Sequence, residues 1–175
     1  MITENRNAGS TAADKELVLT RIFNAPRERV FKAFTDPKQL AKWWGPRGFT
    51  TPICEMDLRP DGFRRIVMRS PDGVDYPLTG TFREIVENER IVLTDSVAEH
   101  NPEWHAMVNK NRPNAKGGLP VLLWTLTFED VDGQTKITIL YHFETAEDRD
   151  AMVKCGMIEG WTQSLEKLEE LLSAS

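Results

Sequence analysis

Residues 17–23 alternate Leu17 and Leu19 against Val18, Thr20 and Ile22, the two-residue period of a strand. Asn24 can then cap a helix with Ala25 and Pro26 in its first turn, where a missing N–H costs nothing. Val30, Phe31 and Phe34 supply the apolar face of that helix. Asp36-Pro37 repeats the device, a capping acid followed by proline, and opens a second short helix through Leu40 and Trp43/Trp44 that Gly45-Pro46 ends. From Ile53 the period returns to two. The segments CEMDL, FRRIVMRS, Val74 to Val86, RIVLTDS, VLLWTLTFE and QTKITILYHF are separated by short turns such as RPDG, PDG and DVDG. Such spacing predicts antiparallel hairpins in a meander, with Pro77 and Gly80 marking an edge or a bulge. Val97 to Pro120 is one long irregular interval, a length typical of functional lids.

The last segment, Thr145 to about Leu172, predicts one long helix with Thr145 and Asp148 as a capping box. Ile158, Trp161, Leu165, Leu168 and Leu172 form its apolar stripe. The strands need a cover for their apolar face, so this helix is placed across the sheet. Gly156 and Gly160 lie away from the stripe, and a kink or a close backbone approach fits them better than room for a ligand.

Composition narrows the function classes. The 175 residues suit one domain, and a net charge of −5 argues against phosphate-rich partners, so no nucleic acid is expected. Cys54 and Cys155 stand alone, which fits reduced thiols and a cytoplasmic protein. Residues 1–15 read as a flexible tail without an apolar leader, and the longest apolar run is far too short for membrane insertion.

Several motifs occur in order: NAPRERVFKAFTDPKQLAKWWGPRGFT, DLRPDGFRRIVMRSPDG, GTFREIVENERIVLT and GWTQSLEKLEELL. Over Leu17 to Leu172 the chain resembles the homologues of the activator of the heat-shock protein 90 ATPase, within the START-like (SRPBCC) superfamily. The resemblance implies an α+β helix-grip fold, a curved antiparallel sheet with two short helices and a long C-terminal helix, as a single START-like domain over 16–175. It also implies a cavity between sheet and helix. Relatives in the superfamily bind small apolar ligands there, and some catalyse cyclisation or dehydration. The eukaryotic activator binds its chaperone partner with such a domain, which links the family to stress response. No cofactor is expected, and a homodimer stays open.

Candidate wall residues follow from strand parity and from the resemblance. Leu122, Trp124, Leu126 and Phe128 share one face, as do Ile137, Ile139, Tyr141 and Phe143. A packed core explains all eight, yet Trp124 and Tyr141 carry polar tips that need partners when buried. Adjacent helical residues diverge by about 100°, so one of Trp43 and Trp44 is expected in the core and the other at the cavity rim with Phe49. The expected ligand-binding set is Trp43, Trp44, Phe49, Trp124, Leu126, Tyr141 and Trp161.

Catalytic and metal motifs are sparse. His100 and His105, with Glu99 and Glu103, read as solvated loop residues rather than a zinc site, and His142 alternates to the outside of the sheet. Parity sends Arg64 to one face and Arg65 with Arg69 to the other, surface charge being the expected role. Asp57, Asp95, Arg65 and Tyr141 are the groups whose placement in the pocket would favour a cyclase or dehydratase. No catalytic residue is assigned. A small apolar ligand is the expected partner, with a co-chaperone-like module and an enzyme as alternatives.

Overall fold

The computed structural model describes residues 3–5, 13–115 and 118–174. Its order is β1 (Thr3–Asn5), a short 3-10 turn (Ala13–Lys15), β2 (Glu16–Phe23), α1 (Arg27–Thr35), α2 (Pro37–Trp43), β3 (Thr50–Met56), β4 (Phe63–Arg69), β5 (Asp75–Val86) and β6 (Arg90–Ser96). It continues with α3 (Pro102–Lys110), β7 (Leu122–Val131), β8 (Gln134–His142), α4 (Ala146–Lys154) and α5 (Met157–Ser173). The strands form one antiparallel sheet in the order β1-β2-β8-β7-β6-β5-β4-β3. This is the helix-grip α+β architecture, with the meander intact and α5 laid over the concave face. Of the expected tail, residues 1–2 and 6–12 lie outside the described residues, while Thr3–Asn5 pairs antiparallel with β2.

Period-two patterning translates into faces as expected. Leu17, Leu19 and Phe23 are buried, as are all eight predicted positions, seven within β7 and β8 and Phe143 just past the end of β8. The α1 face packs Phe31 and Phe34 edge-on against Phe128, and Phe34 against Trp43 at 4.7 Å between ring centroids. Each such ring removed from water contributes about 1.5–3 kcal/mol, which fixes α1 and α2 to one end of the sheet. Asp36 caps α2 by accepting from the Lys38 N–H at 2.9 Å. Pro77 falls in the part of β5 that pairs only with β4, before the β6 ladder begins at Thr79.

Four local expectations need correction. Asn24 does not cap α1; Pro26 takes the N-cap position without a side-chain hydrogen bond, because its fixed φ is already suited to a helix entrance. The Val97 to Pro120 interval is not wholly irregular. It contains α3, capped by Asn101, which accepts from the Trp104 N–H at 2.7 Å. The terminal helix is not continuous either. It breaks at Cys155–Gly156, where Gly156 adopts φ +91°, a left-handed conformation that separates α4 from α5. Gly80 is not a bulge: the register shift in β5 lies between Phe82 and Glu84.

Two arginines hold the outer helices in place. Arg112, buried after α3, donates to Asp148 Oδ1 at 2.6 Å and to Asn109 and the Gly118 carbonyl at 2.9 Å, tying the α3 segment to α4. Arg149 donates to the Glu16 carbonyl at 2.7 Å, tying α4 to β2.

Candidate functional site

Between the concave face and α5 lies a hollow of about 370 Å³. The connection from α2 to β3 supplies Trp44 and Phe49 to its wall, and α3 supplies Trp104 and Met107. The sheet contributes Met68, Tyr76, Leu78, Leu122 and Tyr141. The α4–α5 joint adds Met152, Cys155, Gly156 and Met157, and α5 adds Gly160, Trp161 and Ser164. This is a mostly apolar, sulfur- and ring-rich surface, the kind that adapts to an apolar guest.

The paired tryptophans divide. Trp43 is fully buried and donates its indole N–H to the Ala33 carbonyl at 3.0 Å, whereas Trp44 lines the hollow. Of the seven expected residues, Trp44, Phe49, Tyr141 and Trp161 meet at the wall. Trp43, Trp124 and Leu126 lie in the core behind it.

A polar row runs from the wall, at Asp95, back into the sheet. Arg64, on β4, donates from Nε and Nη2 to the two oxygens of Asp95 on β6, at 3.1 and 2.7 Å, and Trp124 Nε1 donates to Asp95 Oδ2 at 2.8 Å. The guanidinium is stacked between Trp44 and Trp124, 5.3 and 5.4 Å from their centroids. Arg64 is therefore not surface charge, since the rings and the carboxylate replace its water. Gly80 stands opposite both partners, in register with Arg64 on one side and Asp95 on the other. A β-carbon there would strike Asp95 Oδ1 and the Thr94 carbonyl, so the pair meets across β5 only because that residue is bare. Arg65 and Arg69 point outward to Glu99 and Asp75. Asp57 pairs with Arg59 outside the hollow, while Asp95 and Tyr141 both reach its wall.

Tyr141 accepts from Trp161 Nε1 at 3.1 Å and is stacked on Trp124. Burial, reinforced by the nearby Asp95 charge, pushes its phenol far up, so the group stays protonated. Burial also raises the Cys155 thiol.

The histidines differ from expectation. His100 is not solvated: it is buried at the cavity edge between Tyr76 and Trp104, and its Nδ1 has no partner. Burial first, then the neighbouring His105, lowers its pKa to about 4, against a backbone hydrogen bond to Pro77 that works the other way. His105 rides on α3 with Nε2 3.2 Å from the Val97 carbonyl. His142 is exposed beside Glu16. Among the described residues no cluster of His, Cys, Asp or Glu could hold a metal ion.

A larger depression of about 860 Å³ lies on the other face of β5 and β6, lined by Thr79, Thr81, Thr94 and Ser96. Its lining is mixed, more polar than that of the inner hollow, with Val97, Leu119 and Val121 beside the hydroxyls.

Sequence reasoning missed Gly156 and Gly160, Trp104 and Met107 as wall residues. The Asn101-Pro102 pair was the available signal for the last two, since it is the helix-opening device already recognised at Asp36-Pro37.

Comparison with known proteins places the architecture. A family model described as activator of Hsp90 ATPase homolog 1-like protein matches residues 24–173. No curated protein matches the chain. A solved protein from Mycobacterium smegmatis is 27% identical with a TM-score of 0.80, covering 100% of this chain and 99% of its own. One from Nitrosomonas europaea is 28% identical with a TM-score of 0.76, covering 93% and 96%. The AHSA1 protein from Silicibacter pomeroyi, at 24% identity, TM-score 0.67 and coverage of 91% and 98%, shares the fold.

Proposed function

The chain belongs to the family of activator of Hsp90 ATPase homolog 1-like proteins, and on that premise we propose that it binds a small hydrophobic ligand between the sheet and α5. The observation that carries this is the hollow itself. About 370 Å³ of space walled by Trp44, Phe49, Trp104, Met107, Met152 and Trp161 leaves a mostly apolar surface facing water, which a guest of matching shape would bury. Burial of ligand surface, at about 25 cal/mol per Å², supplies the affinity, and α3 with the Trp44–Phe49 segment borders the entry. The test is native mass spectrometry of the purified protein, with titration by N-phenyl-1-naphthylamine, an uncharged apolar fluorophore. A co-purifying molecule that the probe displaces is the expected result. No bound molecule together with no probe fluorescence removes the proposal.

A second reading draws on the family description alone: a protein-interaction domain acting on an Hsp90-type ATPase. It predicts a change in that ATPase's turnover on mixing, and an unchanged rate with no co-sedimentation removes it. An enzyme gains less support. Asp95 is already engaged by three donors, and the Tyr141 phenol is held far from the acidity useful at neutral pH.

A further inference from the structure

The polar groups at the wall of the hollow are few, and their hydrogen bonds are unevenly spent. Asp95 is neutralised by Arg64 and accepts from Trp124 as well. Tyr141 uses its oxygen to accept from Trp161, and among the described residues nothing accepts its own O–H. One turn further along α5, Ser164 is 5% exposed and faces the same hollow, with no partner for its hydroxyl among the described residues. A hydroxyl that opens onto a hollow with no protein acceptor offers its hydrogen bond to a guest atom or a water.

We propose that the ligand is an uncharged, mainly apolar molecule carrying a carbonyl oxygen, held by the Tyr141 hydroxyl with Ser164 as a second anchor. This rests on the ligand-binding reading above. The Trp161 N–H that donates into the Tyr141 oxygen polarises its O–H and makes it a stronger donor. Discrimination against anions follows from charge. Asp95 lies at the wall, the one cation beside it among the described residues is committed, and His100 is kept uncharged by burial. A ligand carboxylate would therefore lose its hydration without meeting an unspent cation. A pure hydrocarbon would enter but leave both hydroxyls unpaired or their water displaced without replacement.

Calorimetric titration of the full chain with three matched naphthalenes tests this: 2-acetylnaphthalene, 2-ethylnaphthalene and 2-naphthoate. The ketone is expected to bind about tenfold more tightly than the hydrocarbon, the return of one well-made hydrogen bond, with the carboxylate weakest. Ser164→Ala and Tyr141→Phe should each weaken the ketone on the order of 3- to 10-fold and leave the hydrocarbon no weaker, so that the preference for the ketone shrinks. Equal affinity for ketone and hydrocarbon, or preference for the carboxylate, overturns the anchor while hydrophobic binding stands. Failure of all three to bind overturns both. Tyr141→Phe also strips Trp161 of its acceptor, so if that variant unfolds the Ser164→Ala variant and the ligand series decide the matter.

Discussion

Replacing Asp95 by asparagine removes one charge and little else. The new side chain can still accept from Trp124 Nε1, but the Arg64 guanidinium, 4% exposed and boxed between two indoles, loses its counter-ion. Breaking a buried pair from one side costs about 3–5 kcal/mol, because the surviving charge has neither partner nor water. For a chain of this length each kcal/mol lowers the melting midpoint by about 2–4 °C, so Asp95→Asn should lose on the order of 10 °C. Arg64→Met, which strands the carboxylate, should cost a similar amount. The double variant removes both charges and keeps the acceptor for Trp124. It should therefore be more stable than either single variant, with a coupling of about 2 kcal/mol or more. Urea unfolding of the four proteins closes the cycle. Arg65→Met is the internal control: its partner Glu99 is half exposed, so the loss should be far smaller than at Asp95 or Arg64. Single variants that cost no more than this control, or costs that simply add, would refute the claim that the pair is desolvated and interdependent.

Three further outcomes follow from the cavity wall and its edge. Gly160 is helical, and a β-carbon there meets only Pro46 Cγ at 3.9 Å, so Gly160→Ala should raise stability by about 1 kcal/mol in thermal unfolding. Gly160→Leu should keep the fold and abolish N-phenyl-1-naphthylamine fluorescence by filling the hollow; undiminished fluorescence would place the probe elsewhere. His100 has its pKa lowered to about 4 against about 6.5 in the unfolded chain, so the unfolded state binds the proton first as pH falls. Its contribution is complete above pH 6.5 and is lost toward pH 4, up to about 3 kcal/mol. His100→Leu should flatten that part of the stability–pH curve, and an identical slope in both proteins would contradict the burial argument.

Much of the architecture was legible because the strands are two-faced. Parity alone placed Leu122 to Phe128 and Ile137 to Phe143 inward and separated Arg64 from Arg65 and Arg69. What parity cannot supply is a partner across strands. That Arg64 reaches Asp95, 31 positions away, depends on three strands being in register, and no local pattern encodes it. The division of the terminal helix was different in kind. Gly156 was visible as a weak point, yet whether a glycine bends or ends a helix depends on its φ, which the tertiary contacts set. Trp43 and Trp44 could be told apart as a pair but not individually, since the direction each ring takes follows from how α2 docks on the sheet.

The vacant position at Gly80 also bears on how the meander aligns itself. Strand β5 could in principle slide against its neighbours, because hydrogen-bonded ladders tolerate translation. Here a slide by one residue would drive Thr79 or Thr81 between the guanidinium and the carboxylate, and a slide by two would bring Leu78 or Phe82. Only one alignment leaves a gap wide enough for opposite charges to touch, so a missing side chain serves as the latch that fixes three strands at once.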